Sequence, residues 1–303
     1  MNILISLDDN YVEQAITMLR SLFINNPNEH FCVYLLYNKL SDDGVKKLRA
    51  FIEKENHEFV NIKIHEDVFL SAPKREHTSI ETYFRILAFK FLDNSVKRIL
   101  YLDLDMIITG SLHNVYSIDM CNKCIAGVPD YGTNHIYYRR KRTLGIPNEY
   151  QYINAGMLLM NLDRIREITT SEQVISFFLQ NMKYYRLQDQ DFINAFFYKE
   201  IIYLPDSYNK DVWYHSYWDI IRESLNHYFN FSKLPIVIHY MGAEYKPWRR
   251  NGYGGKWVRE YLKYSYCREC AELHNQVVKN NKKWFKNYIL VLKRFVMGED
   301  LCK

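Results

Sequence analysis

Neither GxGxxG nor GxxxxGKS occurs in the chain, so the Gly-rich loops that cradle dinucleotides and nucleoside triphosphates are missing and any phosphate must be held by other means. Glycine and proline are scarce, at 11 and 7 of 303 residues, which excludes collagen-like and linker-like material. The 6 cysteines are too few and too scattered for a disulfide scaffold. Two CxxC pairs, Cys121/Cys124 and Cys267/Cys270, would make a four-thiolate zinc site only if the fold joined them. The long gap between the pairs is far from zinc-ribbon spacing, so ordinary reduced thiols are expected. Apolar runs such as Ala155 to Met160 and Tyr288 to Leu292 fall far short of the roughly 20 residues a membrane helix needs. The chain enters Ile3, Leu4 and Ile5 without a basic leader or a small-residue cleavage site, and a cytoplasmic protein is expected.

With 48% hydrophobic and 25% charged residues, the composition is that of a globular protein with a sizeable core. The net charge of +5 hides an asymmetry. Residues 1–245 hold 26 Lys+Arg against 30 Asp+Glu, net −4, whereas residues 246–303 hold 14 against 5, net +9. Trp248, Trp257 and Trp284 also lie in that basic end. Interleaved cations and aromatics suit a membrane-facing or nucleic-acid-facing surface, or a solvated basic face.

Asn2 to Leu7 reads as a buried strand, and Asp8 or Asp9 then caps a helix whose apolar positions Val12, Ala15, Ile16, Leu19, Leu22 and Phe23 recur at helical spacing. Strands over Phe31–Tyr37 and Val60–His65, with a helix over Asp42–Glu55 between them, continue the β-α pattern of a parallel sheet. A helix over Thr78–Leu92 and a strand over Arg98–Asp103 follow. Strands over Cys124–Val128, Tyr152–Asn161 and Pro235–Tyr240, and helices over Ser171–Met182 and Asp191–Phe197, complete the expected set. No repeat or linker divides the chain. An α/β catalytic domain over 1–248 and a basic, aromatic-rich helical appendage over 249–303 are expected. On a helical wheel from Lys279 to Val296, Trp284, Phe285, Tyr288, Val291, Leu292 and Phe295 oppose Lys279, Lys283, Lys286, Lys293 and Arg294, the pattern of an interfacial helix or of one packed on the domain.

Ligands on such sheets bind beyond the carboxyl ends of strands. There stands Tyr101-Leu102-Asp103-Leu104-Asp105, where carboxylates at i and i+2 of a strand point the same way and can share Mg²⁺ or Mn²⁺. Phosphatases of the dehalogenase type also carry DxD, but near the chain start and followed by a small residue and Thr, whereas here Met106 follows, a hundred residues in.

Five blocks taken together carry a resemblance. They are Asp8-Asp9-Asn10-Tyr11; the DxD strand; Asn154-Ala155-Gly156-Met157-Leu158-Leu159-Met160-Asn161-Leu162; Gln188-Asp189-Gln190-Asp191; and His239-Tyr240-Met241-Gly242 followed by Lys246-Pro247-Trp248. In this order the chain resembles the family 8 glycosyltransferases, particularly the bacterial lipooligosaccharide galactosyltransferases.

The resemblance implies a GT-A fold, with a mixed, mainly parallel central sheet, and retaining transfer of glucose or galactose from a UDP-sugar to a glycan or glycolipid. It implies Mn²⁺, or Mg²⁺, on Asp103, Asp105 and His239. Asp8, Asn10 and Tyr11 would hold uridine, Lys246 the diphosphate with Gly242 allowing close backbone approach, and Arg85 and Asn154 would touch donor. Asp189 would bind sugar hydroxyls and Gln190 would lie beneath the anomeric carbon. An amide oxygen is a poor nucleophile, so same-face attack by acceptor is favoured over a covalent route. Asp191 reads as a helix N-terminal cap or first-turn acid, and it could act as nucleophile only if its side chain turned inward. The resemblance favours docking of the basic end on an anionic membrane surface over packing on the catalytic domain, and no nucleic-acid partner is expected. The other functions weighed are a DxD phosphatase and a UDP-sugar-binding protein without transferase activity; the stretch Asp130 to Glu149 offers an acceptor only a basic patch, Arg139 to Arg142.

Overall fold

The computed structural model of the chain describes residues 1–65, 80–213, 234–249 and 257–265, with Lys279, Lys283 and Lys286 as exposed helical positions. The rest of the expected C-terminal helix and the Cys267/Cys270 pair lie outside the described residues. Two compact units divide the chain: Met1–Asn209 with Pro235–Val237, and Lys210–Leu234 with Ile238–Lys303.

The first unit opens with β1 (Asn2–Ser6), α1 (Val12–Ile24), β2 (Cys32–Tyr37), α2 (Asp42–Lys54) and β3 (Glu58–Lys63). It continues through a short α3 (Ala88–Phe91), β4 (Arg98–Leu102), β5 (Met106–Ile108), α4 (His113–Tyr116), β6 (Ile125–Pro129), α5 (Arg139–Thr143) and β7 (Ile153–Asn161). Helices α6 (Leu162–Ile168), α7 (Ser171–Asn181) and α8 (Gln188–Phe197) then lead to β8 (Ile201–Tyr203). Seven strands form one sheet in the order β3-β2-β1-β4-β7-β6-β8. Its β1–β2, β1–β4, β2–β3 and β6–β8 pairs are parallel, whereas β7 runs antiparallel to both β4 and β6.

Period-2 alternation sorts the strand side chains to two cores. Ile3, Ile5, Leu100, Leu102, Met157 and Leu159 join α1 and α2 on one face, and Leu4, Ile99, Tyr101, Leu158 and Met160 join α6, α7 and α8 on the other. Along β4, therefore, the face carrying Ile99 and Tyr101 points toward the elements that supply the polar groups described below.

Three expected elements differ in detail. Asp8 caps a short 3₁₀ turn, Asp9–Tyr11, by accepting from Asn10 N at 3.0 Å. Asp9 instead accepts from Ser41 Oγ at 2.6 Å, and Ser41 caps α2 by accepting from Gly44 N at 3.1 Å. The described part of the expected 78–92 helix is a 3₁₀ segment, Ile80–Leu87, leading into α3. Tertiary packing overrides the helical pattern here: Tyr83, Phe84 and Leu87 are drawn into the core while Arg85 turns back to donate to Thr82 O. Asp103 and Asp105 lie on the turn between β4 and β5 rather than in a strand, so pleating does not set their directions.

In the second unit, β9 (Lys210–Asp211) pairs in parallel with Ile238 and His239 of β10 (Val237–His239), setting His239 opposite Asp211. Trp213 Nε1 donates to Met241 O at 3.0 Å. Gly242 has φ +86° at the entry to the 3₁₀ turn Ala243–Tyr245, and a Cβ there would lie 3.2 Å from the Tyr245 ring. Glycine is needed at this position for the backbone alone. A helix, Val258–Tyr264, follows.

Candidate active site

Within the first unit, the end of β4, the 3₁₀ segment, β7 and the N-terminus of α8 converge on Arg85. Its side chain is 5% exposed, with Nη2 3.0 Å from Asp103 Oδ1 and Nε 3.1 Å from Asp189 Oδ2. Nη1 donates to Ala155 O at 2.7 Å, and the guanidinium lies 3.8 Å from the Tyr101 ring centroid. Tyr101 OH donates to the same Asp103 Oδ1 at 2.6 Å. An exposed helix charge is thus excluded for Arg85: one buried cation joins a carboxylate of the DxD turn to a carboxylate of α8.

Electrostatics follow from this burial. Removal from water opposes charge on Arg85, but Asp103 and Asp189 outweigh it and hold the guanidinium above its ordinary value. Burial pushes the Asp189 carboxyl up to about 6, with Arg85 pulling it down and Asp103 pushing it further up. Tyr101 stays a neutral phenol because burial raises it well above the ordinary tyrosine value.

Gln190 is held from the strand side. Its Oε1 accepts from Ala155 N at 3.0 Å, and its backbone carbonyl accepts from Asn194 Nδ2 at 2.9 Å. Asn194 also exchanges hydrogen bonds of 2.7 and 2.8 Å with Ile153, locking α8 onto β7. Asn154 Oδ1 accepts from Gly156 N at 2.8 Å and from Asn209 Nδ2 at 2.9 Å. Asp103, Arg85, Asn154, Asp189 and Gln190 are therefore brought into one connected network. Asp8, Asn10 and Tyr11 sit on the 3₁₀ turn after β1. His239, Gly242 and Lys246 belong to the second unit, where Lys246 Nζ lies 5.5 Å from the Trp248 ring centroid.

Sequence reasoning missed several participants. Tyr101 and Asn194 read as ordinary strand and helix residues; the i,i+4 pair Gln190/Asn194 was the available signal. The basic patch 139–142 is also corrected. Arg139 and Arg142 are exposed, but Lys141 is buried, donating to Asn148 O at 3.1 Å and Tyr150 O at 2.6 Å, and Arg140 pairs with Asp191. Cys124 is buried beside Glu200, and burial pushes its thiol up to about 12, which keeps it a neutral thiol in the metal-free protein at neutral pH.

The sequence model for Glycosyl transferase family 8 matches residues 2–252. Among curated proteins, Lipopolysaccharide 1,2-glucosyltransferase of Escherichia coli is 24% identical over 82% of this chain and 73% of its own length. General stress protein A of Bacillus subtilis is 24% identical over 83% of this chain and 88% of its own. The crystal structure of galactosyltransferase LgtC with donor and acceptor sugar analogs superposes with a TM-score of 0.76 at 21% identity, covering 90% of this chain and 100% of that one. Glycosyltransferase GlyE of Streptococcus pneumoniae gives 0.63 at 20% identity over 94% of this chain and 64% of that one. The architecture is that of the GT-A glycosyltransferases. Among the described residues no helix is long and apolar enough to cross a membrane.

Proposed function

The chain belongs to glycosyl transferase family 8, and from that premise we propose that it transfers glucose or galactose from a UDP-sugar to a glycan or glycolipid with retention of configuration. The observation that carries this reading is the buried Arg85 bridge, which fixes Asp103 at the end of β4 and Asp189 beside Gln190 at the start of α8. Catalysis is assigned to residues 1–248. The basic segment 249–303 is assigned to an anionic membrane surface on the cytoplasmic side, a reading supported by its charge and by exposed helical Lys279, Lys283 and Lys286.

Two carboxylates and one imidazole, from Asp103, Asp105 and His239, make a donor set suited to Mn²⁺ or Mg²⁺. When bound there, such a cation would supply positive charge to offset the negative charge of the leaving diphosphate. Lys246 adds positive charge for the same group, and Gly242 lets the backbone approach it. Asp8, Asn10 and Tyr11 hold the uridine, with Tyr11 stacked on the base. Arg85 and Asn154 lie at donor-contact positions. Asp189 accepts hydrogen bonds from sugar hydroxyls. Gln190 turns its amide oxygen, a partial negative charge, toward the anomeric carbon. The acceptor hydroxyl then attacks on the face from which UDP departs, and a phosphate oxygen of UDP takes the proton.

Hydrolysis and transfer by the purified chain, screened over UDP-glucose, UDP-galactose and other UDP-sugars with Mn²⁺, test this reading; no turnover of any UDP-hexose overturns it. Gln190→Ala is expected to lower kcat by about 10²- to 10³-fold while the donor KM moves little, because its charge is aimed at charge that develops in the transition state. A change in KM alone would make Gln190 a ground-state sugar contact.

Asp189 gives a pH signature. Its carboxyl, at about 6, is ionised above that pH and neutral below it. Since the ionised form accepts sugar hydroxyls, kcat/KM for donor should fall about tenfold per unit below pH 6, a limb that Asp189→Asn should lack. Stability has the opposite sign: the folded carboxyl binds its proton more tightly than the unfolded one, so this residue adds stability as pH falls from about 6 toward 4.

A further inference from the structure

Asp191 is fully buried yet collects donors from three separate segments. From α5, Arg140 Nε donates to Oδ1 at 2.9 Å and Arg140 Nη2 donates to Oδ2. At the start of β7, Tyr152 OH donates to Oδ1 at 2.8 Å. From the turn before α8, the Arg186 and Leu187 amides donate to Oδ2 at 2.6 and 2.5 Å. That turn then passes through Gln188 at φ +53°, a left-handed conformation that costs energy for a residue with a Cβ and persists only when its surroundings hold it. Asp189 and Gln190 come next in the chain.

We propose that Arg140 is a positioning residue for the transfer step, acting through Asp191 to hold the 186–190 turn and so aim Gln190. The inference rests on the role given to Gln190 above. Asp191 has both oxygens committed to holding backbone and side chains, which makes it the clamp and not a nucleophile. Arg140 grips both carboxylate oxygens from α5, while the turn amides hang on Oδ2. Remove the guanidinium, and the carboxylate loses its tie to α5 and its buried counter-charge, so it can shift and carry the Arg186 and Leu187 amides with it. Neither Arg140 nor Asp191 needs to touch sugar for this to matter, since a misplacement of about 1 Å at the reacting centre costs about 10²-fold in rate.

The test uses the full chain and compares Arg140→Met in the wild-type and Gln190→Ala backgrounds, with kcat, donor KM, UDP affinity in Mn²⁺ and the thermal midpoint read for each. In the wild-type background Arg140→Met should lower kcat about 10²-fold with donor KM and UDP affinity within about threefold. In the Gln190→Ala background it should cost less than about threefold more, because the two changes remove one function. Equal losses in both backgrounds, or an unchanged kcat with only a lower thermal midpoint, overturn the proposal. Should Arg140→Met not fold, Arg140→Lys, which keeps the charge but loses the two-point grip, is read in the same two backgrounds with the same criteria. A wild-type chain that turns over no UDP-hexose overturns the functional reading instead, and would do so before any variant is compared.

Discussion

Asp103→Ala and Asp105→Ala are each expected to reduce transfer by at least about 10³-fold and to weaken UDP binding in Mn²⁺. Charge stabilisation by a cation is worth several kcal/mol on the leaving diphosphate, and each 1.4 kcal/mol is about tenfold in rate. Excess chelator should produce a loss of the same order in the wild type, reversed by Mn²⁺. Asp103 has an oxygen engaged by Arg85 and Tyr101, so its removal also disturbs Arg85 and should lower the thermal midpoint. Full activity in chelator would exclude the cation's role.

Arg85→Met should be the most destabilising single change in the site. It leaves Asp103 and the buried Asp189 facing one another without the cation that separates them, and breaking a buried ion pair from one side costs about 3–5 kcal/mol. It also orphans the Ala155 carbonyl and uncovers the Tyr101 ring. Denaturant unfolding at pH 7 should show the loss, and it should shrink toward pH 5 as Asp189 takes up a proton. Stability within 1 kcal/mol of wild type would mean that water replaces the guanidinium at little cost. Activity should fall further than stability does, since both the DxD turn and the α8 N-terminus lose their common anchor.

Much of this architecture was legible in the chain itself. Uninterrupted apolar runs in Ile3–Ile5, Ile99–Leu102 and Met157–Met160 specify strands with two buried faces, because the strand period is 2 and each face meets its own core. The DxD pair after an apolar run was identifiable because carboxylates stand at a fixed offset in a short motif, whereas Asp189 and Gln190 were singled out only by the family resemblance. Periodicity of that kind describes which face a side chain takes, not what lies opposite.

The partners were decided by the tertiary structure. Antiparallel pairing of β7 with β4 brings Gly156 O to Asp103 N at 2.7 Å and sets Ala155 beside Arg85 and Gln190. No local pattern states that Arg85 meets Asp103 and Asp189, or that Arg140, one cation in a run of four, turns inward to Asp191 while Arg139 and Arg142 stay outside. Burial decides these pairings, because a charge removed from water must find its counter-charge wherever the strand order places it.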